Sequence, residues 1–154
     1  MVKLEITVDG PPLITKRDAG KITVISEEFA LQRVFDQIIH TFEPEAQARK
    51  VILEVIPTNL LMTSDANLVW EALSNLVQNA IRMSAADQTV KLQAETRMNT
   101  VVITVTDDVA EGSMDPGQAG FGLEIVRQIA RMLDARFELK PNKANLIFQN
   151  ASDV

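Results

Sequence analysis

The stretch Asp65–Ser84, D-A-N-L-V-W-E-A-L-S-N-L-V-Q-N-A-I-R-M-S, decides how this chain folds. Its apolar residues recur three and four positions apart: Leu68, Val69, Ala72, Leu73, Leu76, Val77, Ala80 and Ile81. That spacing predicts an amphipathic helix of about four turns. Ser64 and Asp65 stand at its start and can accept hydrogen bonds from the free amides of its first turn.

A polar edge runs along the same helix. Glu71, Asn75 and Asn79 lie four residues apart, so their side chains stack on one side. Asparagine is a mediocre helix former, because its side chain competes for nearby backbone groups. An amide oxygen that faces a cleft can ligate a hard cation such as Mg²⁺, whereas two solvated surface amides explain the same spacing. The fluorescence of Trp70 is expected to change when a ligand binds at this edge.

The run L-S-N-L-V-Q-N-A-I-R resembles the N box of the GHKL ATPases, and specifically that of the ATP-binding catalytic domain of sensor histidine kinases. In that family, the residue that matches Asn79 holds Mg²⁺ between the ATP phosphates. The residue that matches Asn75 lies beside it, and the one that matches Arg82 reaches the phosphates. The resemblance therefore implies ATP and Mg²⁺ as cofactors. Met83 stands where the family often has tyrosine.

The resemblance extends over roughly residues 13–149 and implies a two-layer α/β (α+β) sandwich. Its sheet is mixed and mostly antiparallel, and three helices cover one face. Alternating apolar residues predict the strands of this sheet. These strands are expected at residues 4–8, 51–56, 60–63, 89–96, 101–107, 136–139 and 146–149.

After the strand at 101–107 the family has Asp-x-Gly-x-Gly, whose aspartate binds the adenine amino group. This chain has D-D-V-A-E-G at 107–112. Strand alternation makes Asp107 the adenine residue, because a slip of one residue would turn the strand inside out. If the last glycine sets the register instead, Asp108 leads and Gly112 is retained. The motif is incomplete in both registers, and a β-branched valine at position 109 cannot adopt positive φ without strain.

The run G-Q-A-G-F-G-L at 117–123 resembles the second glycine box of the family, with Gly120, Gly122 and Leu123 retained. A helix is predicted to begin at these glycines. The free amides and the positive end of such a helix suit phosphate oxygens. The segment 109–119 corresponds to the ATP lid of the family and is short.

His40 is the only histidine and has to be considered as a phosphoacceptor. It lies on the flank of an apolar helical stripe, in a helix that Ser26 is predicted to cap, with Glu27 and Glu28 in the first turn. The acidic neighbour and the Pro-Leu context of kinase phosphoacceptors do not accompany it. We therefore predict that His40 is a solvated helix side chain.

The charge, hydropathy and cysteine content of the 154-residue chain exclude some classes of partner and location. A net charge of −6 argues against a nucleic-acid partner. No apolar run approaches the ~20 residues that span a bilayer, so no membrane contact is expected from this domain. The lack of cysteine is compatible with a cytoplasmic location. We expect residues 1–20 to be a strand, a turn and the remnant of a linker from dimerisation helices, and residues 21–154 to form the histidine kinase-like ATP-binding domain.

Two functions remain open at this point. The first is the Mg-ATP-binding catalytic domain of a two-component sensor histidine kinase, which presents the γ-phosphate to a histidine on separate helices. Its partners would be the nucleotide, the dimerisation and phosphoacceptor helices, and a response regulator. The second is a degenerate pseudo-kinase or binding module, with weak or no nucleotide binding, that docks a response regulator or partner helices. The sequence leaves open whether the chain is an enzyme.

Overall fold

A computed structural model describes residues 2–7, 21–108 and 116–149, with side chains from 23 to 108 and from 123 to 149. The helices are α1 (Leu31–Arg49), α2 (Ala66–Met83) and α3 (Pro116–Met132). The strands are β1 (Val2–Thr7), β2 (Lys21–Ala30), β3 (Ile52–Val55), β4 (Leu61–Ser64), β5 (Thr89–Arg97), β6 (Thr100–Thr106), β7 (Arg136–Lys140) and β8 (Lys143–Gln149). The turn predicted at residues 9–12 lies outside these ranges.

The strands form a five-stranded sheet in the order β3-β5-β6-β8-β7 and a three-stranded sheet in the order β1-β2-β4. Among the strands of the described ranges, β3 and β5 pair in parallel and all the other ladders are antiparallel. The predicted fold class, a mixed and mostly antiparallel sheet with three helices, is confirmed. None of the helices in the described ranges has both the length and the apolar character needed to cross a membrane.

Helix α2 lies at the centre of the core. All eight apolar residues that predicted it are buried, and it packs against α1, α3 and the larger sheet. Asp65 caps it as predicted, because one carboxylate oxygen accepts from the Leu68 amide at 3.0 Å. The second oxygen accepts from the Ile25 amide at 2.9 Å, so the cap also fixes β2 to the start of the helix.

Helix α1 begins later than predicted. Ser26, Glu27 and Glu28 belong to β2, and Ala30 is the N-cap residue, with no side-chain hydrogen bond to the helix. Residues 27–30 pair with β4 instead. The Leu31 amide then donates to the Leu60 carbonyl at 3.0 Å. The prediction of a Ser26 cap is wrong, because strand pairing with a distant segment satisfies the backbone groups that a first helical turn would have used.

Helix α3 begins earlier than predicted. Its first residue is Pro116, so Gly120 and Gly122 lie inside the helix rather than at its start. Proline suits the first helical position, because its fixed φ is helical and its missing N–H would have had no partner there. The free amides of α3 therefore belong to the residues before Gly120. The prediction that these two glycines open the helix is wrong.

Candidate functional site

A cavity of about 40 Å³ lies between the C-terminal half of α2, the end of β6 and the turn between β7 and β8. Space of this size corresponds to one or two water molecules. Asn79 and Asp107 supply polar groups to a mainly apolar lining, and both are partly exposed. The lining residues are Leu76, Asn79, Ala80, Met83, Val105, Asp107, Leu123, Leu139, Lys140, Lys143 and Ala144.

The side chains of β6 alternate in the way that gives Asp107 access to this cavity. Val101, Ile103 and Val105 are buried in the core, and Asp107 follows on the same side. The Asp107 amide donates to the Asn142 carbonyl at 3.1 Å. Asp108 is exposed and is not among the lining residues; its carboxylate accepts from the Thr89 amide at 2.8 Å. Of the two registers that the sequence allows, this geometry favours the one led by Asp107.

The polar edge of α2 is not uniform. Glu71 and Asn75 are buried, at 2% and 8% exposure, and the Asn75 side-chain amide donates to the Glu71 carbonyl at 2.8 Å. Of the three residues on this edge, only Asn79 lines the cavity. Asn75 therefore lies one helical turn before Asn79, and its side-chain amide donates a hydrogen bond within α2.

Arg82 turns toward α1 rather than toward the cavity. Its Nε donates to a carboxylate oxygen of Glu45 at 3.3 Å, and Arg49 lies 3.6 Å from that same oxygen. The side chain of Arg82 is 56% exposed, so this ion pair is solvated. The structure does not bring Arg82 to the cavity that contains Asn79.

The second glycine box contributes one side chain to the site. Leu123 is buried and lines the cavity. Gly120 and Gly122 stand in the helical backbone of α3 just before it. Gly112 and the greater part of the predicted lid lie outside the described residues.

His40 and Trp70 belong to a separate, shallow groove, which Asn67 also lines. His40 is exposed, which confirms its prediction as a solvated side chain. Trp70 stands nine positions before Asn79, which is about 13 Å along a helix axis. That Trp70 reports on the Asn79 edge stays a prediction for fluorescence to test, and this separation along the helix favours little change in its emission.

Sequence reasoning missed the lysines of the site. Lys140 and Lys143 flank the turn between β7 and β8, and both line the cavity. Neither lysine forms a salt bridge with another residue of the described ranges. The turn itself was recognisable as P-N-K, but no local pattern shows that β8 lies beside β6, with Lys143 opposite Thr106.

The sequence profile described as histidine kinase-, DNA gyrase B- and HSP90-like ATPase matches residues 64–149, more than half of the chain. The matched region begins at the residue before the α2 cap and ends with β8. The chain belongs to this ATPase family. The resemblance inferred from the N box is thus confirmed, and membership of the family implies ATP binding.

Solved histidine kinase structures share the fold. The Acinetobacter baumannii histidine kinase AdeS superimposes with a TM-score of 0.68 at 20% identity, over 85% of this chain and 69% of that one. The mycobacterial sensor histidine kinase MprB gives 0.68 at 16% identity, over 84% and 100%. Full-length ShkA in complex with AMPPNP gives 0.66 at 18% identity, over 86% and 33%. No curated protein sequence matches the chain.

Proposed function

We propose that this chain is the Mg-ATP-binding catalytic domain of a two-component sensor histidine kinase. The observation that carries the proposal is that Asn79 of α2 and Asp107 after β6 line one cavity. These are the residues to which the family resemblance assigns the metal and the adenine. The similarity to ShkA, whose structure contains AMPPNP, supports the same role.

The residues of the cavity suit an adenine nucleotide chemically. The Asp107 carboxylate would accept a hydrogen bond from the adenine amino group, and Leu123 would supply apolar contact with the base. Lys140 and Lys143 add positive charge next to a polyanionic ligand. Because both lysines are exposed, each contributes a modest attraction that salt weakens.

The site also suits Mg²⁺, provided that the metal enters together with the phosphates. No cluster of three His, Cys, Asp or Glu residues occurs in the described ranges, so those residues offer no metal site built from such side chains alone. Mg²⁺ usually keeps several waters and takes only one or two protein ligands beside substrate phosphates. The amide oxygen of Asn79 would be such a ligand, with Asn75 one turn before it.

The phosphate end of the site would be formed by Arg82 and by the α3 backbone near Gly120 and Gly122. Arg82 would have to exchange Glu45 for a phosphate oxygen. The glycines would allow the nucleotide to approach the helix closely, because they carry no Cβ. Catalysis would then rest on positioning and charge neutralisation, as in other phosphoryl transfers. The acceptor would be a histidine on separate dimerisation helices, and a response regulator would be the next partner, in the cytoplasm.

A degenerate pseudo-kinase or binding module is the second candidate. The cavity of about 40 Å³ is far smaller than the few hundred Å³ typical of ligand pockets. Val109 and Glu111 stand where the favoured register has glycines. These features favour weak nucleotide binding or none.

Calorimetric titration of the chain with Mg-ATP separates the two candidates. We expect a Kd near ~100 µM, equivalent to about −5.5 kcal/mol, because the incomplete glycine motif weakens the site. ADP should bind and Mg-UTP, which lacks the purine, should not. No heat of binding at millimolar Mg-ATP would contradict the catalytic proposal and support the pseudo-kinase.

A further inference from the structure

We propose that Asp108 is a positioning residue, which holds Asp107 at the cavity without touching the nucleotide. The inference rests on the proposed function, because nucleotide binding is what gives Asp107 its ligand, the adenine base. Asp108 does not line the cavity. Its contacts explain how the site keeps its shape although position 109, a glycine in the favoured register of the family motif, is valine in this chain.

Asp108 is fastened to the segment that enters β5. Its carboxylate oxygen Oδ2 accepts from the backbone amide of Thr89, the first residue of β5, at 2.8 Å. The Gln88 side-chain amide donates to the Asp108 carbonyl at 3.4 Å. A hydrogen bond with a charged acceptor is stronger than a neutral one. Asp108 is thus held through its side chain and its backbone.

The segment that receives Asp108 is itself ordered by hydrogen bonds. The Gln88 side-chain oxygen accepts from the Ala85 amide at 2.7 Å, and the Gln88 amide donates to the Ala85 carbonyl at 3.2 Å. The next amide, that of Thr89, points at Asp108. The connection between α2 and β5 is therefore a closed turn that can anchor a neighbouring segment.

Asp107 needs such an anchor, because it lies beyond the end of the strand ladder. The last pair of β6 and β8 joins Thr106 to Lys143. Past that pair, the Asp107 amide donates to the Asn142 carbonyl on the β8 side at 3.1 Å. Residues at strand ends open more readily than the core. The Asp108 bond to Thr89 adds a tether on the β5 side, so Asp107 is held from both neighbouring strands.

The positioning role of Asp108 requires a hydrogen-bond acceptor for the Thr89 amide but does not require a negative charge. Asparagine keeps a side-chain oxygen at the position that accepts from Thr89, whereas alanine removes it. Asp108→Asn should therefore keep most of the positioning and Asp108→Ala should lose it. A residue that bound adenine through its charge would be weakened by both substitutions.

The first experiment measures the affinity of the whole chain for ADP and adenosine. We expect Asp108→Ala to weaken both about tenfold, as for the loss of one hydrogen bond, and Asp108→Asn to change them less than about twofold. In an Asp107→Asn background, Asp108→Ala should add no further loss. Thr100→Ala is the matched control, because it removes the bond from the Thr100 hydroxyl to the Arg97 carbonyl at the other end of β6. Equal losses for Asp108→Asn and Asp108→Ala would overturn the proposal.

The second experiment requires no nucleotide, so its failure is distinguishable from failure of the proposed function. In amide hydrogen exchange, Asp108→Ala should accelerate exchange at Thr89 and Asp107 and leave Ile103, in the middle of β6, unchanged. Asp108→Asn should restore slow exchange at Asp107. An Asp107 amide that exchanges at the wild-type rate in Asp108→Ala would overturn the inference. If wild type binds no nucleotide, the proposed function fails and the exchange rates still decide the role of Asp108.

Discussion

Asp65 joins two elements through one carboxylate. One oxygen accepts from the Leu68 amide in the first turn of α2, and the other accepts from the Ile25 amide of β2. The residue is 2% exposed, so water does not replace these bonds when the side chain is removed.

Asp65→Ala should lower the free energy of unfolding by about 2–4 kcal/mol, because it removes a helix cap and leaves the amide of Ile25 without an acceptor. Chemical denaturation followed by circular dichroism measures this loss. Asp36→Ala is the control, because Asp36 is exposed and, within the part of the chain that the structure describes, accepts a hydrogen bond from Gln32 on its own helix. A decrease in unfolding free energy below about 0.5 kcal/mol for Asp65→Ala would contradict the proposal that Asp65 both caps α2 and holds β2.

Asp107 and Asn79 should bind different parts of the nucleotide, the adenine base and the Mg²⁺ at the phosphates respectively. Asp107→Asn removes a charge-assisted hydrogen bond, worth about 1.5–3 kcal/mol or roughly 10- to 150-fold in affinity. That loss should appear for ATP, ADP and adenosine, with or without metal.

Asn79→Ala should instead abolish the advantage that Mg²⁺ gives to ATP and leave adenosine binding nearly unchanged. Isothermal calorimetry with and without Mg²⁺ separates the two effects. Asn67→Ala is the matched control, because it changes an exposed asparagine at the other end of α2. Loss of adenosine affinity in Asn79→Ala would contradict a role confined to the metal.

A solvated ion pair between Glu45 and Arg82 links the surfaces of helices α1 and α2. This pair keeps Arg82 on the α1 side of α2, whereas the proposed function needs it near the phosphates. Exposed ion pairs are worth about 0.2–1 kcal/mol, so a phosphate could compete for the arginine.

Glu45→Gln should strengthen Mg-ATP binding by up to about fivefold, because it weakens the competing partner of Arg82. Adenosine, which has no phosphate, should bind as before. Titration of both ligands measures the effect, with Glu43→Gln as the control on the same helix. In an Arg82→Ala background the gain should disappear, and a gain that persists there would show that Arg82 is not the cause.

The groove that contains His40 and the cavity that contains Asn79 lie toward opposite ends of α2. His40 shares a groove with Asn67, and Asn79 stands twelve residues further along, which is about 18 Å on a helix axis. Reacting atoms must come within about 3.5 Å for transfer. A phosphate held at Asn79 is therefore out of reach of His40 in the same chain.

The chain incubated with labelled ATP and Mg²⁺ should acquire no acid-labile phosphate on His40. Phosphopeptide mapping under alkaline conditions measures this, with His40→Gln as the control for background label. Trp70 emission, followed in the same samples, should stay constant, because Trp70 lies in the His40 groove. Label on His40 that disappears in His40→Gln would contradict this geometry.

Local sequence patterns were sufficient to predict the central helix, the hairpin of β5 and β6 and the inward direction of alternate β6 side chains. Each follows from local periodicity, since a helix buries residues three and four apart and a strand buries alternate ones. For that reason the Asp65 cap and the α2 core were predicted correctly, and alternation also indicated that Asp107 rather than Asp108 points toward the cavity.

The partners of the polar groups, in contrast, depend on how distant segments pack together. Ser26 pairs with Val2 of β1, and the residues after it pair with β4, so Ser26 belongs to a strand. Arg82 forms an ion pair with Glu45, and the order of the sheet places Lys140 and Lys143 at the cavity. These partners come from distant parts of the chain. Local periodicity specifies which face of an element is buried, but it does not specify which distant donor or acceptor will lie next to that element.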